Sequence, residues 1–209
     1  MKKGITHMLK LVVACSICAG LVGMSASCSD DDPVQVSGPR TIRVAPDSSG
    51  DASTIQDALN IAKNGDVIEL LDGVYSGEGN RDIDFLGKRV TLRSRSGNPD
   101  MSVVKLPPYS FPYHRAFVFQ SGEDSCTVVV GLKIVDGTGG GVWAGANQSA
   151  SWGTSAIISY GGAIMCRRES RPTFIDCVFV SNEAGVGGIA FCIEEASPRF
   201  EGCTFYDNG

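Results

Sequence analysis

The fold class predicted by these 209 residues is a right-handed parallel β-helix, an all-β solenoid opened by one capping α-helix. Three observations carry that expectation. A stretch of the chain repeats itself at a shift of 26 residues without a gap. Many short β-rich runs follow one another, each bounded by Gly, Asn, Asp or Pro. One segment alone, ahead of those runs, has helical periodicity. Periods of about 20 to 50 residues mark solenoids and arrays, and a strand-rich unit of this size suits one coil of a β-helix.

Taken in order, residues 1–28 read as targeting sequence. Lys2, Lys3 and Lys10 give a positive start, and Leu11 to Met24 carry no charge. Ser25-Ala26-Ser27 then supplies the small residues a signal peptidase needs. The apolar run falls short of the roughly 20 residues that span a bilayer, which argues against a membrane-crossing helix. Cys28, followed by Ser29 and Asp30-Asp31-Asp32-Pro33, resembles a bacterial lipoprotein signal, in which the cysteine is acylated and becomes the mature N-terminus. Ser25 stands where that family usually has Leu, and Ser25-x-Ser27 also suits ordinary signal cleavage. The lipoprotein resemblance implies a lipid anchor at Cys28 and display at a bacterial outer membrane or cell surface, with no spanning segment. Ordinary cleavage implies a secreted or periplasmic protein.

Residues 29–40 read as a flexible acidic tether, because Asp30 to Asp32 repel one another and Pro33, Gly38 and Pro39 break regular structure. The solenoid is expected over 41–209. Thr41-Ile42-Arg43-Val44 alternates as a strand does. A cap helix is predicted over 53–64. Ser53 and Gln56 form its capping box, Ile55, Ala58, Leu59 and Ala62 make one apolar stripe, and Asn64-Gly65 ends it. About three turns of helix are marginal alone, so the stripe must cover something, and the open end of the solenoid is the natural place. Strands are then predicted at 66–70, 74–75, 90–92, 103–106, 117–119 and 127–135.

The repeats span 161–186 and 187–209. Gly161-Gly162 falls on Gly187-Gly188, Cys166 on Cys192, Phe174 on Phe200, Cys177 on Cys203, Phe179 on Phe205 and Asn182 on Asn208. Cys177 and Phe179 lie two apart and share one strand face, as do Cys203 and Phe205. Strict alternation fails one step earlier, where Ile175 is matched by Glu201. The chain is therefore expected to bend at Asp176 and Gly202, which lets Phe174 and Phe200 point inward as well. Leu132 and Ile134 take the places of Cys177 and Phe179 in an eroded earlier copy. Which face of 162–166 points inward is left open. The phenylalanines, cysteines and asparagines should stack as ladders about 4.8 Å apart, the asparagines bonded through their amides. The chain closes on Asn208-Gly209 without a capping segment, so the expectation is of a solenoid incomplete at its C-terminal end.

Gly161-Gly162-Ala163-Ile164, Phe179-x-x-Asn182 and Phe205-x-x-Asn208 resemble the GGAI and FxxN repeats of chlamydial polymorphic outer-membrane proteins. Thr54-Ile55-Gln56-Asp57-Ala58 through Gly65-Asp66, then Gly73-Val74-Tyr75, resembles the opening of pectate-lyase-like and pectinesterase-like β-helices. Together these resemblances cover about residues 41–209. They imply the fold and say little of activity, since such solenoids host lyases, esterases, hydrolases and adhesins.

Chemistry is sparse. A formal charge of -5 with no basic stripe excludes nucleic acid as a natural partner. Beyond the signal, Cys28, Cys126, Cys166, Cys177, Cys192 and Cys203 lack the CxxC spacing of a zinc site; those in the coils read as buried, stacked thiols rather than disulfides. No metal site and no cofactor is predicted; calcium enters only under a lyase reading. His114 is the sole histidine after the signal and sits in the Pro- and aromatic-rich stretch 107–115, without any nucleophile-elbow motif. Tyr109 and Tyr113 there either pack on the coil or offer flat faces to sugars. The Gly-rich stretch 136–160 breaks the rhythm and holds Trp143 and Trp152, either as a binding loop or as decoration. Asp82, Asp84, Lys88, Arg93, Asp136, Arg167, Arg168 and Asp176 match no catalytic motif, and no catalytic residue is assigned. The expected function is a surface-displayed module that binds a polysaccharide or a surface protein. The alternative is a fragment of a polysaccharide lyase or carbohydrate esterase with catalytic coils beyond residue 209.

Overall fold

The computed structural model describes residues 38–108, 113–139 and 160–209, all within the unit Gln35–Gly209. Their regular structure is mostly short strands, with one α-helix. In chain order these are β1 (Thr41–Val44), α1 (Ile55–Ile61), β2 (Val67–Leu70), β3 (Gly73–Tyr75), β4 (Ile83–Asp84), β5 (Thr91–Ser94), β6 (Ser102–Lys105), β7 (Phe117–Phe119) and β8 (Val128–Val130). There follow β9 (Lys133–Val135), β10 (Ile164–Cys166), β11 (Thr173–Ile175), β12 (Val178–Val180), β13 (Ala190–Cys192), β14 (Arg199–Glu201) and β15 (Thr204–Tyr206).

The strands form three parallel sheets. The first is β1-β2-β5-β8-β11-β14, the second β3-β6-β9-β12-β15 and the third β4-β7-β10-β13. From β2 onward the chain visits first, second and third sheet in strict rotation, so each strand pairs with the strand one coil later. That arrangement is compatible with an all-β solenoid and explains why, from β2 onward, pairing partners lie three strands apart in sequence.

Local chemistry dictates the corners. Between first and second sheet the chain turns within two residues, at Gly131-Leu132, Asp176-Cys177 and Gly202-Cys203. Gly131, Asp176 and Gly202 have φ of 63°, 50° and 61°. This left-handed conformation suits Gly and is tolerated by Asp. It is the bend expected at Asp176 and Gly202, and it also splits the predicted single strand 127–135 into β8 and β9. β4 has only two residues and no periodicity of its own, so it had no sequence signal.

The core fills the space among the sheets. Phe174 lies in register with Phe200 and Phe179 with Phe205; their rings stack with centroids 5.2 Å and 5.3 Å apart. Ile164 and Cys166 point inward and Met165 outward, which decides the face left open over 162–166. Burial weakens along the ladders: Phe174 and Phe179 are fully buried, Phe200 and Cys203 are half-buried, and Phe205 is 42% exposed. Asn182, fully buried, satisfies its whole side chain. Its amide nitrogen donates to the Ile134, Val180 and Asn208 oxygens, and its Oδ1 accepts from the Gly137 N–H.

Two expectations need correction. The helix runs Ile55–Ile61 rather than over 53–64, and its N-cap is Thr54, whose hydroxyl accepts from the Asp57 N–H. Gln56 forms no capping box. Its amide instead brackets the Asp84 backbone, donating to the carbonyl at 3.1 Å and accepting from the N–H at 2.9 Å, which docks α1 on β4. Tertiary bonding outcompeted the local motif, and the cap moved by one residue. Cys126 is not one of the buried thiols: it is half-buried and disulfide-bonded. Ile55, Ala58 and Leu59 are buried, with α1 lying against β1, β2 and β4.

Candidate functional site

From β2 onward, the two longest connections between strands, 106–116 and 136–163, both run from second to third sheet. Sequence excursions at 107–115 and 136–160 therefore emerge from one corner, in adjacent coils.

Their stems are bonded to each other. The His114 N–H donates to the Thr138 hydroxyl at 3.4 Å, and the Thr138 N–H donates to the His114 carbonyl at 3.0 Å. A third, earlier coil joins them through Asp82, immediately before β4. Its Oδ2 lies 2.5 Å from His114 Nδ1, and its Oδ1 accepts from the Arg115 N–H at 3.1 Å. Asp82 has φ of 50°, a left-handed turn that aims the carboxylate along the stack toward the next coil.

Arg115 is 4% exposed, with its guanidinium against the Met165 sulfur. Desolvation holds its pKa below the ordinary arginine value, with Asp82 acting in the opposite sense. The corner thus offers an accepting carboxylate, an imidazole, a buried cation and the Thr138 hydroxyl in one place. Among the described residues, no hydrogen bond occupies His114 Nε2. Beside the corner runs the outward row of the third sheet, Asp84, Val118, Met165 and Phe191 in register, with the Tyr160 ring 4.7 Å from Phe191. Few convergent polar groups beside apolar and aromatic surface is the make-up of ligand sites in general.

Glycines set the shape of this corner. A methyl group on Gly137 would stand 2.1 Å from the Gly162 carbonyl oxygen, one on Gly162 2.0 Å from that of Gly188, and one on Gly188 2.1 Å from that of Gly209. No side chain fits at those distances, so the backbone closes tightly behind both ends of the second excursion.

Of the sequence-predicted ligand residues, Tyr113 lies half-buried at the first stem. Tyr109, Trp143, Trp152 and the lipidation candidate Cys28 fall outside the described residues. Asp82 and His114 were visible separately, with nothing in their spacing to pair them. Thr138 was missed; the departure from the 26-residue rhythm at Asp136 was the signal that could have found it. Among the described residues no three His, Cys, Asp or Glu side chains gather as a multidentate metal site, and no helix is long and apolar enough to cross a membrane.

Searches of protein-family models, of curated proteins and of solved structures each returned no match.

Proposed function

We propose that this chain is a right-handed parallel β-helix module, closed at its N-terminal end by α1 and displayed outside the cell, whose second-to-third-sheet corner binds carbohydrate. The observation that carries the reading is the joining of the stems of both excursions by the His114–Thr138 bonds, with Asp82 of the preceding coil bonded to His114. A solenoid that concentrates its insertions on one face presents a binding surface there. Sugar hydroxyls want paired donors and acceptors, and apolar sugar faces want flat rings. Asp82, His114 and Thr138 supply the former, and the half-buried Tyr113 offers a ring for the latter. A protein ligand at the cell surface would use the same corner.

Titration with neutral oligosaccharides, read by tryptophan fluorescence, tests this. Saturable binding that falls at least tenfold in His114→Ala supports the corner; identical binding by wild type and variant, or none, removes it. The 2.5 Å His114–Asp82 contact favours a second reading, a carbohydrate esterase in which Asp82 orients the imidazole and Nε2 takes a proton. Acetate release from acetylated oligosaccharides would favour that reading over simple binding. A lyase is the less supported enzyme, because elimination beside a uronate needs a positioned base and a cation. We expect no unsaturated product in an ultraviolet assay with calcium present.

Display is proposed to run through acylation of Cys28. Cys28→Ala is expected to move the protein from the membrane to the soluble fraction. Equal partitioning of both forms would refute the anchor.

A further inference from the structure

Four free cysteines among the described residues form two pairs, and both pairs join the same two coils. Cys166 and Cys192 are registered partners in β10 and β13. Cys177 and Cys203 immediately precede the registered partners Val178 and Thr204, and the Thr204 N–H donates to the Cys177 carbonyl. The second pair repeats its surroundings from coil to coil. The Cys177 thiol donates to the Val129 carbonyl at 3.6 Å, and the Cys203 thiol to the Phe174 carbonyl at 3.5 Å. Cys166 and Cys177 are fully buried, Cys203 is half-buried and Cys192 is exposed, so each pair has an inner and an outer member.

Spacing decides what such pairs can do. Neighbouring strands lie about 4.8 Å apart, and registered side chains leave the backbone in the same direction, so their Cβ atoms keep roughly that separation. A disulfide needs Cβ atoms about 3.5–4.5 Å apart and a torsion near 90°, which parallel Cα–Cβ bonds do not offer. A cation held linearly between two thiolates makes a different demand. With bonds of about 2.3 Å, the metal–thiolate length of zinc, the two sulfurs stand about 4.6 Å apart, close to the strand spacing. Zinc itself wants four ligands, whereas soft thiolates select copper(I).

We propose that the pairs Cys166–Cys192 and Cys177–Cys203 are two-coordinate sites for a soft monovalent cation, copper(I), each tying one coil to the next. Copper(I) joins both sulfurs as each thiol gives its proton to water, and a bis-thiolate complex of charge -1 results; no electron is transferred.

The test uses the full-length reduced chain, kept anaerobic, with copper(I) as the probe and native mass spectrometry as the readout. Cys192→Ser and Cys203→Ser should each retain one copper ion fewer than wild type, and the double variant two fewer. In wild type, copper(I) should also protect the exposed Cys192 and the half-buried Cys203 from iodoacetamide, a measurement that stands even if a variant fails to fold. Equal copper in wild type and double variant overturns the proposal, as does full alkylation of Cys192 and Cys203 in the presence of copper. Loss of two mass units per pair in air, with no copper retained after reduction, overturns it in favour of inter-coil disulfides.

Discussion

Leu59→Asp is expected to abolish recovery of soluble, folded protein. Leu59 is fully buried on α1, beside Ile55 and Ala58, where the helix lies against β1, β2 and β4. Removing a buried leucine costs about 2–5 kcal/mol, and a carboxylate left there without a partner adds several more. Against a typical stability of about 5–15 kcal/mol, little or none remains. Ile61→Asp on the same helix is the control, since Ile61 is 51% exposed and should tolerate the charge. Soluble expression and circular dichroism of both variants check this. A well-folded Leu59→Asp protein would mean that α1 covers nothing the strands need covered.

Phe174→Ala carries the second large effect, a loss of about 3–5 kcal/mol in urea denaturation. Its ring meets four others: Phe117, Phe119, Phe179 and Phe200, with centroids 5.2 to 6.2 Å away. Those contacts link all three sheets, since Phe117 and Phe119 belong to β7 and Phe179 to β12. Phe205→Ala should cost about 1–2 kcal/mol, because its ring is 42% exposed and gives up less burial when removed. Equal losses at both positions would contradict the burial gradient along the ladders.

Much of this architecture was legible because a repeated coil writes its geometry into the sequence twice. The 26-residue register placed Phe174 on Phe200 and Asn182 on Asn208, and the failed alternation at Ile175 and Glu201 located the left-handed corner at Asp176 and Gly202. Where the coil occurs once, the signal is lost. β4, two residues long, carries no period to detect. Thr54 displaced Ser53 as the cap because Gln56 was drawn to the Asp84 backbone, a partner 28 residues away that no local rule could weigh. The candidate site was the least legible part. Asp82, His114 and Thr138 come from three successive coils, and the excursions that separate them in sequence hide the fact that they are stacked neighbours.

From β2 onward, the two longest connections fall at one edge of the coil, while the backbone behind it is clamped where Gly137, Gly162 and Gly188 each meet a carbonyl oxygen. That division separates two kinds of inheritance. The coil can be duplicated whole, because everything that makes it stack travels within a single unit. The excursions can be lengthened, shortened or exchanged like cassettes, provided the glycine exits are left alone. A chain built this way can change what it presents to its surroundings without renegotiating how it folds.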